Sequence, residues 1–410
     1  MAPNQPSREI ACYFDVAVGR YIFGESKESL VRWLRNFGLN PADREISPTW
    51  LLKLSRPWVP QEFPTLGRDI ANALPSEVQR RVFVAGRATA LLFEATTETG
   101  PVFASVVLEG AKERELSNGF RHISRVPLEN IVGSFSARAV SRIPVSRADG
   151  AWIHGRDHNP SYTVLATRMV AIVGCGAVGA AVAKLLAQAG VGKMLLIDHD
   201  SLTTANVGRH PLGIEYAGLN KAMALSAALR KSFPHLQFDD IFPKRFERLS
   251  RPDREKLGSV DLIVCAGIDF DGESALDAWR TSLDQPPALV STWAEAFGTA
   301  GHAVLLYGKT SIRPAFDESE LPLMRLTDWP DGSGTLIVEA GCGNVFQPHG
   351  VVDLHPVIGM AASLVVDALT NRAPTSCRRY WLGDRTQVLS NGGTPLLAFN
   401  ESKVVREVAW

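Results

Sequence analysis

Short apolar runs alternate with helical segments from residue 168 to about residue 370. Met169–Val173 is a continuous apolar run, which is typical of a parallel strand buried on both faces. Ala177–Ala189 predicts a helix that ends at Gly190, because glycine is favoured just past a last helical turn. This alternation predicts an α/β fold with a doubly wound, Rossmann-like and mostly parallel sheet. Further predicted strands are Lys193–Ile197, Val260–Ala266, Ala288–Thr292 and His302–Tyr307, and further predicted helices are Leu219–Phe233 and Pro356–Leu369.

The first 150 residues have a different texture and predict a smaller mixed α+β domain. Ser29–Gly38 has helical spacing, whereas Val82–Phe93 and Val102–Leu108 are rich in the β-branched and aromatic residues of strands. A polar segment punctuated by glycine and proline predicts a linker at 151–165. The main domain is then expected at 166–375, with a crossover loop near 309–345, followed by a strand-rich extension at 376–410.

Composition and charge exclude several classes of protein. The chain has 410 residues, and its 43 Lys plus Arg balance 43 Asp plus Glu, so no net charge favours nucleic acid or anionic lipid. No apolar run approaches the roughly 20 residues of a membrane-spanning helix. The five cysteines are scattered without a CxxC pair, which predicts a cytoplasmic protein and no zinc site.

The sequence VGCGAVG predicts a turn that binds a phosphate between the first strand and its helix. Gly174 makes the turn, Gly176 lets a phosphate approach the backbone, and Gly179 lets the helix pack on the strand. Asp198 ends the second strand, where a carboxylate can bind a ribose hydroxyl. These features suit a dinucleotide and ATP equally well.

The residues after the second strand favour ATP. Asn206, Arg209 and Lys221 provide polar and cationic groups that hydride transfer does not need. Nucleotidyl transfer does need them, because negative charge develops on the α-phosphate as pyrophosphate leaves. Asp269 follows another predicted strand and suits a magnesium ion, with Asp271 as the near alternative.

These motifs together resemble the ThiF/MoeB-type adenylyltransferase family, the superfamily of ubiquitin-activating enzymes. The matching segments are GCGAVG (174–179), LIDHD (196–200, with Asp198 and Asp200), NVGRH (206–210), GLNK (218–221) and Asp269. The resemblance implies an enzyme that uses ATP and Mg²⁺ to adenylate the C-terminal glycine of a ubiquitin-like protein. It assigns Asp198 to the ribose, Arg209 and Lys221 to the phosphates, and Asn206 and Asp269 to phosphate and metal. The Arg-His of GRH is typical of bacterial members with extra N-terminal domains, including those of antiphage conjugation operons.

The same resemblance implies a cysteine that receives the activated carboxylate as a thioester. Cys342 lies after the crossover loop and before the last apolar helix, and Cys377 is the second candidate. A conjugating enzyme and a homodimer are the further partners implied. Activation of a sulfur carrier or a peptide, an NAD-dependent oxidoreductase and a non-catalytic scaffold are the alternatives left open.

Overall fold

The chain divides into two compact units, Met1–Ala148 and Asp149–Trp410. The computed structural model of the chain describes residues 7–84, 88–110, 113–117, 119–338, 345–396 and 403–410. Residue 342, the first candidate thiol, lies outside the described residues.

The first unit is a mixed α+β domain, as predicted. Its six-stranded sheet has the order β2-β1-β3-β4-β5-β6, in which β3 and β4 are parallel and the other pairs are antiparallel. The strands are β1 (Arg8–Asp15), β2 (Arg20–Gly24), β3 (Ile46–Leu54), β4 (Thr89–Thr97), β5 (Gly100–Leu108) and β6 (Ser141–Ile143). The helices are α1 (Lys27–Phe37), α2 (Gly67–Ala73), α3 (Ser76–Phe83), α4 (Glu113–Ser117) and α5 (Leu128–Phe135).

The predicted strand at Val82–Phe93 is wrong in its first part. Helix α3 runs through Phe83, and the strand β4 begins only at Thr89. Val78, Val82 and Phe83 are buried on one helix face and pack in the core of this unit. A short apolar run does not distinguish a strand from a buried helix segment. Here the run begins as the last turn of a helix that starts at Ser76.

The second unit contains an eight-stranded sheet with the order β18-β16-β12-β11-β10-β7-β8-β9. Strands β11, β10, β7, β8 and β9 are parallel, and β12, β16 and β18 continue the sheet as antiparallel neighbours. The strands of this sheet are β7 (Met169–Val173), β8 (Lys193–Ile197), β9 (Gln237–Phe242), β10 (Leu262–Ala266), β11 (Ala288–Ala294), β12 (Ala300–Leu306), β16 (Cys377–Leu382) and β18 (Val404–Ala409). Two small two-stranded sheets add β13 (Thr327–Asp328) with β17 (Thr394–Pro395), and β14 (Ile337–Val338) with β15 (Val345–Phe346).

Helices cover both faces of this sheet, so the predicted doubly wound α/β fold is confirmed. Alternate residues of β7 point to opposite faces: Val170 and Ile172 pack with α8, α9 and α12, whereas Ala171 and Val173 pack with α10 and α11. The helices are α6 (Gly150–Ile153), α7 (Tyr162–Leu165), α8 (Ala177–Ala189), α9 (Lys221–Ser232), α10 (Arg251–Gly258), α11 (Phe270–Ser282), α12 (Val351–Leu369) and α13 (Arg385–Ser390).

The segment predicted as a linker, 151–165, is part of the second unit. It forms α6 and α7, and Leu165 is only 1% exposed in the core beside α8. The His154 ring donates a hydrogen bond from Nδ1 to the carbonyl oxygen of Gln188 (2.9 Å), at the end of α8. Polar residues with glycine and proline suggested a linker, but the few apolar side chains among them fix the segment to the domain.

Helix α12 is long and apolar enough, by length and composition, to cross a membrane, contrary to the expectation from the sequence. Nine of its residues are buried, and the helix packs against α8 and against strands β11 and β12. The apolar residues of α12 therefore form part of the core of this unit.

Candidate functional site

The glycine turn joins β7 to α8 at the carboxyl edge of the parallel strands. Gly174 adopts φ +88°, and a Cβ added to it would overlap the carbonyl oxygen of Ala266. A Cβ at Gly179 would overlap the carbonyl oxygen of Gly174. A Cβ at Gly176 would meet no protein atom within 4 Å, so the space beside that residue is open. The first and third glycines therefore serve the fold, and the second borders free space where a ligand can approach.

Two buried side chains hold this turn through the backbone N–H and carbonyl groups of Cys175. Asp198, at the end of β8, accepts hydrogen bonds from the backbone N–H groups of Cys175 (2.7 Å) and Asp200 (2.8 Å). His210 Nε2 lies 2.8 Å from the carbonyl oxygen of Cys175, and the Leu212 N–H donates to His210 Nδ1 (3.2 Å). Because Nδ1 accepts, Nε2 carries the proton and is the donor. Burial lowers the pKa of His210, which favours this neutral form.

Lys221 is held next to the turn by Asp200. Its Nζ lies 2.9 Å from Asp200 Oδ2, and its side chain is 12% exposed. Burial acts to raise the pKa of Asp200, but the hydrogen bond and charge of Lys221 outweigh it and the pKa is lowered. Lys221 is the first residue of α9, and the preceding Asn220 donates from Nδ2 to the carbonyl oxygen of Asp198 (2.9 Å). Asp198 thus touches both the glycine turn and the helix that carries Lys221.

Asn206 and Arg209 lie in the connection between β8 and α9. Asn206 Oδ1 accepts from the backbone N–H of Thr203 (3.0 Å) and so closes the 3₁₀ turn Thr204–Asn206. Arg209 is half-buried, and the pKa of His349 is lowered first by burial and then by the positive charge of Arg209. The Nδ1 atom of His349 is buried, and among the described residues it has no hydrogen-bond partner. Sequence reasoning missed His349, since nothing local connects it to Arg209.

Asp269 follows β10 and caps α11. Its Oδ1 accepts from the backbone N–H of Gly272 (2.8 Å), and its Oδ2 forms an ion pair with Arg245 Nη1 (2.9 Å). Arg245, Arg248, Arg251 and Arg254 recur three residues apart, a spacing that predicts one solvated helix face, but Arg245 is not part of such a helix. Arg245 precedes a 3₁₀ turn just after β9, and α10 begins only at residue 251. The position of Arg245 just after a parallel strand was the sequence signal that could have placed it at the candidate site.

Carboxylates at this edge suit a hard cation. Asp269 is about half exposed, and its Oδ2 has only the Arg245 pair among the described residues. Within the described ranges, Asp198, His199 and Asp200 also place potential ligand atoms within 4.8 Å of one another. Mg²⁺ in proteins is commonly held by one or two carboxylates together with substrate phosphates. The residues at this edge fit such an ion.

The two candidate thiols have different outcomes. Cys342 lies outside the described residues, so its role stays a prediction. Cys377 lies in β16, is 6% exposed, and burial raises the pKa of its thiol. A thioester acceptor must be an accessible thiolate. In the folded protein the Cys377 thiol is buried and therefore does not meet this requirement.

The fold places this protein among the Rossmann-like α/β proteins, which bind ligands at this edge of the sheet. The chain belongs to the ThiF family, whose sequence model matches residues 157–373. The resemblance to ThiF/MoeB-type proteins is thus confirmed.

Several named relatives are similar to part of this chain. The chain is 33% identical over 171 residues to the ATP-dependent ubiquitin transferase-like protein Cap2 of Pseudomonas aeruginosa, covering 40% of this chain and 29% of Cap2. It is 31% identical over 188 residues to ubiquitin-like modifier-activating enzyme 5 of Gallus gallus, covering 44% of this chain and 46% of that enzyme. The chain therefore spans less than half of the length of these relatives. A solved structure of E. coli MccB with ATP has a TM-score of 0.44 and 14% identity, and the match covers 78% of this chain and 94% of MccB.

Proposed function

We propose that this protein uses ATP and Mg²⁺ to activate the C-terminal carboxylate of a ubiquitin-like protein. An oxygen of that carboxylate attacks the α-phosphorus of ATP and forms a P–O bond. The bond to the bridging oxygen of the β-phosphate breaks, and pyrophosphate leaves. The products are an acyl-adenylate and pyrophosphate.

The observation that carries the proposal is the position of Lys221 beside the glycine turn. Asp198 contacts both the turn and Asn220, and Asp200 directs the Lys221 ammonium group (2.9 Å). A cation fixed next to a phosphate-binding turn stabilises the charge that develops during transfer, without rearrangement at the moment of reaction. Arg209 supplies a second cation on the same connection. An NAD-dependent oxidoreductase has no use for either group.

The remaining residues complete the proposed assignment. The ribose binds at Asp198, the phosphates bind along the turn at Gly176, and Asn206 assists them. Asp269 holds Mg²⁺, which neutralises charge on the phosphates of ATP when bound. The similarity to ubiquitin-like modifier-activating enzyme 5 supports the substrate class.

The later steps of the proposal extend beyond this site. Cys342 accepts the acyl group from the adenylate, a thioester forms, and AMP leaves. A conjugating enzyme then receives the acyl group, and the protein acts as a cytoplasmic homodimer. The Arg-His of GRH (208–210), which resembles bacterial members of antiphage conjugation operons, supports a role in antiphage defence.

The test is ATP–pyrophosphate exchange in the presence of candidate ubiquitin-like proteins. We expect exchange that depends on the partner and falls about 100-fold or more in Arg209→Ala and Lys221→Ala, the usual effect of removing one donor to a developing charge. Lys231→Ala is the matched control, because Lys231 is an exposed lysine at the other end of the same helix. A partner adduct that is sensitive to reductant, lost in Cys342→Ala and kept in Cys377→Ala, would support the thioester.

Two results would contradict the proposal. Exchange that is equally fast in Lys221→Ala and in the control would remove the cation from the mechanism. Tight binding of NAD without any exchange would assign the turn to a dinucleotide.

A further inference from the structure

Arg245 connects the ends of three parallel strands at the candidate site. It follows β9, and its Nη1 lies 2.9 Å from Oδ2 of Asp269, which follows β10. Its Nε donates to Nε2 of His199 (3.2 Å), which follows β8. Neither the glycine motif nor the family resemblance assigned a role to this arginine.

The guanidinium occupies the oxygen of Asp269 that a metal ion would use. Oδ1 already accepts the capping hydrogen bond from Gly272 (2.8 Å), so Oδ2 is the oxygen left for a cation. Mg²⁺ binds carboxylate oxygen at about 2.0–2.1 Å and would lie close to the guanidinium if both shared Oδ2. Two positive groups at this separation repel each other. Arg245 and Mg²⁺ are therefore alternative partners of Asp269.

Replacing Arg245 by Mg²⁺ at Asp269 requires little free energy, because the Arg245–Asp269 pair is exposed. The side chains are 46% and 53% accessible to solvent, and pairs of this kind are weak. Arg245 thus neutralises the carboxylate in the nucleotide-free protein without blocking the site. The expected effect on metal binding is a few-fold change.

His199 links the replacement of Arg245 by Mg²⁺ to the rest of the site. Its Nε2 lies 3.2 Å from Arg245 Nε and 3.1 Å from Asp200 Oδ1. One ring nitrogen either accepts from Arg245 or donates to Asp200, and it does not do both. When Arg245 leaves, His199 can donate to Asp200, the carboxylate that also holds Lys221.

We infer that Arg245 is a positioning residue of the nucleotide site, which holds Asp269 until Mg²⁺ and ATP displace it. The inference rests on the proposed function, because it takes Asp269 as the metal-binding carboxylate. Arg245 then sets the Mg²⁺ concentration at which ATP binds.

The test measures binding of ATP by the full chain at a series of Mg²⁺ concentrations, by calorimetry. We expect Arg245→Gln to lower the half-saturating Mg²⁺ concentration about three- to fivefold, in line with a weak exposed pair. Arg245→Lys keeps a positive charge near Asp269 and should remain near the wild-type value. Arg251→Gln is the matched control, because Arg251 forms an exposed ion pair with Glu255 on α10. In a protein that also carries Asp269→Asn, the Arg245→Gln substitution should no longer change the Mg²⁺ requirement.

Each other outcome has a defined meaning. If Arg245→Gln binds ATP with an unchanged or higher Mg²⁺ requirement, this inference is overturned and the proposed function stands. If the wild-type protein binds no ATP at any Mg²⁺ concentration, both are overturned.

Discussion

Gly174 and Gly176 are two residues apart in one turn, but they are needed for different reasons. Gly174 has φ +88° and no room for a Cβ, whereas Gly176 has φ −75° and open space beside it. Gly174→Ala should therefore lower the free energy of unfolding by at least about 2 kcal/mol, since a left-handed alanine alone costs about 1–2 kcal/mol. Gly176→Ala should keep the wild-type melting temperature and lose ATP affinity. Thermal unfolding and calorimetric titration with ATP distinguish the two.

Equal melting temperatures for the two variants would mean that the turn relaxes to accept a side chain at either position. Normal ATP affinity in Gly176→Ala would mean that the nucleotide does not approach the backbone there.

A pair of histidines predicts that stability depends on pH. His154 Nε2 and His235 Nε2 are 2.7 Å apart, and His154 donates from Nδ1 to Gln188, so His235 is the donor between the rings. Burial and the neighbouring His154 lower the pKa of His235 to about 4. The unfolded chain binds a proton near pH 6.5, and the folded protein does so only near pH 4. The contribution of neutral His235 to the free energy of unfolding is complete above about pH 6.5. It is lost as the pH falls towards 4, at about 1.4 kcal/mol per pH unit, because the unfolded chain binds a proton that the folded protein does not.

Denaturant unfolding at several pH values between about 4 and 7 measures this slope. His235→Phe should flatten it, and His158→Gln, at an exposed histidine, should leave it unchanged. The same slope in wild type and His235→Phe would assign the pH dependence to other groups.

The segment predicted as a crossover loop, 309–345, is anchored by buried charged side chains at both ends of its first half. Arg280 is fully buried, pairs with Asp277 (3.0 Å) and donates to the carbonyl oxygen of Gly308 (2.6 Å). Glu295, after β11, accepts from the backbone N–H groups of Leu326 (2.7 Å) and Thr327 (2.8 Å). The helix α11 and the β11–β12 turn therefore fix the path of this segment beside the sheet.

Glu295 also pairs with His302 (2.7 Å), and the two side chains are 9% and 0% exposed. Removing one partner of a buried pair leaves the other charge or dipole unsatisfied, so Glu295→Ala should cost about 3–5 kcal/mol. Glu255→Ala, which breaks the exposed Arg251 pair, should cost less than about 1 kcal/mol. Urea unfolding of the two variants provides the comparison, and equal losses would show that burial does not strengthen the Glu295 pair.

The division of the chain at residue 149 predicts where it can be cut. A fragment of residues 149–410 keeps α6 and α7, whose Leu165 is in the core and whose Tyr162 ring stacks on His154 (5.2 Å). A fragment of residues 166–410 loses these contacts. Burying one large apolar side chain contributes about 1.5–3 kcal/mol, so the shorter fragment should be less stable by more than about 3 kcal/mol. Denaturant unfolding measures the difference, and equal stability would restore the linker interpretation.

The amino-acid pattern was sufficient for the parallel core of the second unit. The strands β7, β8 and β10 and the helices α8 and α9 were predicted within a few residues, because the strands are buried along most of their length and each helix carries a buried face. The sequence also placed the glycine turn, Asp198 and Asp269 at the carboxyl edge of the sheet, since strand ends and glycines mark that edge in the sequence itself.

Contacts between distant residues decided the rest. The antiparallel direction of β12, the packing of 149–165 and the helix at Ser76–Phe83 depend on which apolar surface a segment meets after folding. The pairs Arg245–Asp269 and His210–Cys175 join residues that lie far apart in sequence. Local patterns restrict the backbone of each segment, but the order of the strands brings their ends together, and that order is set by the burial of the complete core.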